Sequence, residues 1–192
     1  MEVLAARLRP HRSLRRHVVP IALIVLGMGQ VAHAVPATAL RAAFLYNFAV
    51  FTEWPADALA PGQKLSLCVV GDNDVAAALV QTIRGRSLEG HVLTVAIVKA
   101  DGILPLCHLL YVGGGAAKRT SQLIHVLAGV AVLLVGETDR FAESGGVVQL
   151  VLENDKMRFV VNMGAAQRAG LHLSSQLLSL AAIVKGTADV RP

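Results

Sequence analysis

The chain has 192 residues, 54% of them hydrophobic and 16% charged, which is enough apolar material for one packed domain and excludes a disordered polymer. The formal charge is +5, but five of the 18 basic residues and one of the 13 acids lie in the first 34 positions. The rest carries 13 bases against 12 acids, a net charge of +1, with no basic stripe interleaved with aromatics, so a nucleic-acid-binding surface finds no support.

The first 34 residues read as a leader. Arg7, Arg9, Arg12, Arg15 and Arg16 form a positive stretch, residues 18–28 are apolar and uncharged, and Ala32-His33-Ala34 offers small residues at the two positions a signal peptidase inspects. The alternative is a retained anchor, but the apolar run is shorter than the roughly 20 residues of a spanning helix, and Pro20 interrupts it. Cleavage after Ala34 is expected, which delivers a mature domain of residues 35–192 to the periplasm.

Residues 39–51 place Leu40, Ala43, Phe44, Tyr46, Phe48 and Phe51 at helical spacing, with Thr38 as a candidate N-cap and Trp54-Pro55 as the stop. Residues 65–70 are a short continuous apolar run, the pattern of a strand covered on both faces. Gly71 to Asp74 form a loop and helix start, and residues 75–83 read as a helix. Residues 85–90 read as a polar turn and 91–98 as a strand. Residues 101–105 are a link. Residues 107–112 form another strand, followed by Gly113-Gly114-Gly115 and an amphipathic helix over 118–127. Residues 130–135 are a third apolar strand, and 138–144 read as a short helix. Residues 147–153 and 157–162 flank Asn154-Asp155-Lys156, which predicts an antiparallel hairpin with a three-residue turn. Helices are expected over 165–170 and 174–184, ended by Gly170 and Gly186. Strands alternating with helices, then a late hairpin, predict an α/β fold. It is a three-layer sandwich with a mostly parallel mixed sheet and helices on both faces.

In an exported chain, Cys68 and Cys107 allow one intramolecular disulfide; two buried free thiols are the alternative. The Gly113-Gly114-Gly115 run matches neither the dinucleotide nor the P-loop spacing and reads as a turn rather than a phosphate cradle. His91, His108, His125 and His172 each stand alone in their segments, without the spacing of a metal site, so no metal and no cofactor is expected. No G-x-S-x-G is present, Ser174-Ser175 fits a helix N-cap, and no acids pair across a cleft, so nothing points to an enzyme. Trp54 fits a core plug better than an exposed anchor. The C-terminal segment carries Leu173, Leu177, Leu178, Leu180, Ala181 and Val184 over more than one face, which suits burial or a partner surface.

Several blocks together resemble a known family. Arg41-Ala42-Ala43-Phe44-Leu45-Tyr46-Asn47-Phe48-Ala49-Val50-Phe51-Thr52-Glu53-Trp54-Pro55 is similar to the opening signature of the YfiR family (the DUF4154 domain). Leu67-Cys68-Val69-Val70-Gly71-Asp72 resembles its first strand and turn, and Cys107-His108 its "CH" strand start. Gly145-Gly146, Arg158-Phe159-Val160-Val161-Asn162, Ala165-Ala166 and the run from Gly170-Leu171-His172-Leu173 to Ala181 resemble its C-terminal block. The resemblance runs in order over residues 41–181.

It implies a periplasmic regulatory binding protein that inhibits an inner-membrane signalling protein, a diguanylate cyclase or another receptor, by binding its periplasmic domain; with a cyclase as partner, cyclic-di-GMP output and biofilm formation are kept low. It further implies an OmpA-like outer-membrane lipoprotein that sequesters the repressor, a homodimer, and a disulfide at Cys68 and Cys107. Some members carry a second disulfide near the Gly-Gly segment; this chain has no further cysteines, which puts redox control through that bond in doubt. Arg168 and His172, with Leu173, Leu177 and Leu178, are the candidate partner-binding residues. A periplasmic small-molecule binding module is the alternative function, since parallel α/β sheets often bind ligands beyond their strand ends.

Overall fold

The computed structural model describes residues 35–99, 101–154 and 156–184. The expected signal peptide and the Gly186 terminator lie outside them. Helix α1 spans Ala37–Val50 and buries Ala42, Leu45, Phe48 and Ala49, a single stripe at helical spacing. It starts one residue before the expected Thr38 cap. Pro36 takes the N-cap without a side-chain hydrogen bond; its restricted φ of −55° suits the entry to a helix.

The main sheet is built from β2 (Leu65–Val70), β3 (Ser87–Leu88), β4 (His91–Val98), β5 (Leu109–Val112), β6 (Leu133–Gly136), β7 (Val148–Glu153), β8 (Lys156–Asn162) and β10 (Ala182–Val184). Its order is β10-β8-β7-β6-β5-β2-β4-β3. The stretch from β4 through β2, β5 and β6 to β7 is parallel. β8 is antiparallel to β7, β3 is antiparallel to β4, and β10 is parallel to β8. The short strands β1 (Thr52–Glu53) and β9 (His172–Leu173) form a separate antiparallel pair.

Helix α2 (Asn73–Ile83) links β2 to β4, toward one edge; a 3-10 turn (Gly114–Arg119) and α3 (Thr120–Val126) link β5 to β6, toward the other. Right-handed crossovers in opposite directions place their helices on opposite faces. Side-chain contacts agree. Helix α1 packs against α2, and its Phe44 and Phe48 meet Phe159 of β8. Helix α3 instead borders clefts floored by Leu110 and Leu134. Those two alternate along their strands with Leu109, Tyr111, Leu133 and Val135, so they face the other way. The three-layer arrangement, the parallel centre and the late hairpin are therefore as the pattern predicts. The parallel strands β2, β5 and β6 are almost wholly buried, which is why they read as unbroken apolar runs.

Four local readings differ. Residues 138–144 form turns rather than a helix; Arg140 has φ +55°, outside the right-handed helical region. The hairpin loop has two residues, not three. Glu153 pairs with Lys156 directly, and Asn154 (φ +49°) adopts the left-handed conformation that tight hairpin turns need. Residues 85–90 contain β3, a short return hairpin on β4. The expected 174–184 helix is only Ser175–Ser179 (α5), after which β10 extends the sheet edge along β8. An edge strand offers unpaired backbone groups, and that pairing outweighs the leucine spacing that reads as helical.

Candidate functional site: the disulfide corner, the C-terminal block and two clefts

Cys68 on β2 and Cys107, just ahead of β5, are joined by a disulfide with 5.8 Å between their Cα atoms. The parallel pairing of β2 with β5 brings them together: Leu67 stands beside Leu109 and Cys68 beside Leu110. The tether spans 39 positions of sequence. By the chain-entropy argument a loop of that size stabilises the fold by up to about 4 kcal/mol. Of the two thiol fates open from sequence, the bonded one is found.

His108 completes this corner. It is 1% exposed. Its Nδ1 accepts the Ser66 N–H at 3.0 Å, so its Nε2 carries the proton and donates to the Ala58 carbonyl at 3.1 Å. The Trp54 indole N–H donates to the His108 carbonyl at 3.0 Å, and the two rings meet edge-on at 89°. Burial pushes the His108 pKa below its ordinary value, partly offset by the hydrogen bond to Ala58. Trp54 packs partly buried against the core, as the plug reading expects. Sequence reading left His108 isolated. The available signal was the pair of blocks themselves, Phe51 to Pro55 and Cys107-His108, which the fold places in contact across 54 positions.

The C-terminal block is stitched to the same signature. Thr52 pairs with Leu173 and Glu53 with His172, and the Ser174 N–H donates to the Phe51 carbonyl at 2.9 Å. Ser174 caps α5 through its Oγ and the Leu177 N–H, as its residue type predicts. Among the candidate partner residues, Arg168 at the end of α4 (Met163–Arg168) and His172 are exposed. Leu173 and Leu178 are half-buried against the core, and Leu177 is 4% exposed within it. Leu180, 76% exposed, is the open apolar side chain of this block.

The ends of β2 and β5 form the place where α/β sheets often hold ligands, since successive crossovers diverge there. Here that place is filled by backbone. The Gly113 N–H donates to the Val70 carbonyl and the Gly115 N–H to the Gly71 carbonyl. A Cβ on Gly115 would stand 2.6 Å from the Gly71 oxygen. Gly113 and Gly115 therefore serve close loop packing, with their N–H groups already engaged by backbone carbonyls, while Gly114 faces open space. Nearby, Arg41 donates through Nη2 to Glu137 Oε2 at 3.0 Å and the Tyr111 hydroxyl donates to Glu137 Oε1 at 2.7 Å. Burial and the Glu137 carboxylate push the Tyr111 phenol far above its usual range, so it stays a donor. This cluster ties α1 to the ends of β5 and β6.

Two clefts open on the α3 face. One, of about 610 Å³, lies between α3 and α4 with Ile124, Val132, Leu134 and Val147 among its lining and Arg168 and His125 beside them. The other, of about 530 Å³, borders the disulfide and includes Leu106, Val126 and Val130, all exposed. Among the described residues no group of three or more His, Cys, Asp or Glu side chains is placed to hold a metal ion. No helix among them is long and apolar enough to cross a membrane.

This is a disulfide-stapled α/β sandwich with two clefts on its α3 face and a C-terminal block stitched to its first helix-end signature. Its family is the DUF4154 family, YfiR/HmsC-like, whose profile matches residues 38–182. The chain belongs to that family, a family of periplasmic regulators. The matched span covers both the Trp54 signature and the block stitched to it.

Proposed function

We propose that this protein is a periplasmic repressor that binds the periplasmic domain of an inner-membrane signalling protein, a diguanylate cyclase, and holds it in its inactive state. Family membership over residues 38–182 is the observation that carries this reading. Such a repressor shifts a receptor only by its differential affinity for the receptor's two states, so its contacts must be specific to one of them. The proposed surface is the C-terminal block. Arg168 and His172 supply exposed polar contacts, and Leu173 and Leu178 supply half-buried apolar ones, with the buried Leu177 holding the segment to the core. Further proposed partners are a second copy of the chain and an OmpA-like outer-membrane lipoprotein that draws the repressor away. A leader cleaved after Ala34 would deliver it.

The test is co-purification of the mature protein with the periplasmic domain of a cyclase encoded beside it. The Arg168→Glu/His172→Glu double variant and Leu180→Asp alter exposed side chains, so both should keep the wild-type Tm and lose the partner. Retention of the partner by both would rule out this surface. Absence of any complex with the wild-type chain would rule out the repressor reading.

A further inference from the structure

We propose that the cleft between α3 and α4 is a binding site for a small amphiphilic monoanion, an apolar body carrying one carboxylate-like head group. The cleft measures about 610 Å³, within the range of small-molecule sites. Its floor is apolar and built on rigid elements: Ile124 from α3, Val132 and Leu134 at β6, Val147 ahead of β7, and Ala165 and Ala169 around α4. Leu134 and Val147 are buried members of the core, so this floor does not depend on a mobile surface side chain.

The lining carries one formal charge, that of Arg168, and it is positive. Arg168 and His125 line the cleft and no Asp or Glu does. Arg168 forms no ion pair among the described residues. The acid next in sequence to the lining residue Ser144 is Glu143, which is engaged by Arg140 at 2.6 Å. Arg168 is an exposed lining residue of an apolar cleft and forms no ion pair among the described residues, so its guanidinium is available to an anionic head, and its fork matches a carboxylate. A cationic or neutral ligand of the same shape gains nothing from it.

The site shares Arg168 with the proposed partner surface, but its floor is not part of that surface and its test uses the protein alone, so its outcome is independent of the proposed partner. The probe is decanoate below its micellar concentration, titrated calorimetrically into the mature protein, with decanol and acetate as controls for the apolar body and the head group. Saturable one-to-one binding of decanoate is expected, at least about tenfold tighter than decanol, the size of one charge-assisted contact. Arg168→Gln should remove that advantage and leave decanol binding as it was. Ser121→Phe, at an exposed lining position of α3, should obstruct the cleft and abolish binding of both, at an unchanged Tm. Equal affinity for decanoate and decanol, or indifference to both substitutions, would overturn the site. So would co-sedimentation with phosphatidylglycerol vesicles without binding of monomeric decanoate, which would assign the rim charge to a lipid surface.

Discussion

The Cys68–Cys107 corner and the turn-rich connection over residues 137–147 both fasten a long loop to the same sheet, by different means. At the corner the tether is covalent and is backed by His108 and Trp54 hydrogen bonds to backbone. In the connection no covalent bond is present. Phe141, 1% exposed, wedges between Gly136 and Gly146, where a Cβ on either glycine would fall onto its ring. Gln149 accepts the Ala142 N–H at 3.2 Å, and Asn162 donates through Nδ2 to the Ala142 carbonyl at 2.6 Å. Packing and satisfied hydrogen bonds therefore do in one region what a cross-link does in the other. Only the first region should respond to reductant, and the second should depend wholly on packing and hydrogen bonds.

The largest effect is expected in the packed region. Phe141→Ala should cost about 3–5 kcal/mol in urea unfolding, because the rigid glycines around the ring cannot close the void. A loss under about 1 kcal/mol would mean that the connection is not pinned by this ring. Second comes the covalent corner. Cys68→Ser with Cys107→Ser, or reduction of the wild type, should cost up to about 4 kcal/mol by the same measurement, while Phe141→Ala keeps its full effect in the reduced protein. Coupling between the two would show that the regions are not independent.

Third is Asn162→Ala. Asn162 is buried, caps α4 through Oδ1 and the Ala165 N–H at 2.9 Å, and serves the Ala142 carbonyl with its other end. Two buried backbone groups lose partners, so about 1–3 kcal/mol should be lost; Asn162→Asp should recover the cap but not the Ala142 contact. The smallest effect is one of pH. His108 is held neutral by burial, with a folded pKa below the ordinary value, so the unfolded chain takes up the proton first. Its contribution is complete above about pH 6.5 and is lost as pH falls through the depressed folded value. Tm measured from pH 7.5 downward should therefore fall more steeply for the wild type than for His108→Gln; parallel curves would show that this corner does not sense pH.

How much of this was legible depended on the distance between partners. The Ser174 cap follows from residue type alone, because its partner is three residues away. Composition locates the Asn154 turn but suggests one residue more than it holds, since strand register and not composition decides where pairing stops. The C-terminal leucines have the spacing of one helix, yet the helix stops at Ser179 and the free edge of β8 recruits Ala182 to Val184 as a strand. Leu177 and Leu180 look alike in sequence, yet one is core and the other is open.

By itself the sequence determined the fold class, the order of the major strands and helices and, through its ordered blocks, the family; for the cysteines it left one possible pairing, and the structure decided that they bond. Apolar periodicity and turn chemistry are local, and they survive in a linear reading. The tertiary structure alone decided that Trp54 meets His108, that Glu137 gathers Arg41 and Tyr111, that the glycine loops close the sheet's usual ligand position, and that a cleft with a cationic rim opens between α3 and α4. Those contacts join residues that are mostly tens of positions apart, and they arise from strand order and crossover direction, which no window of sequence contains.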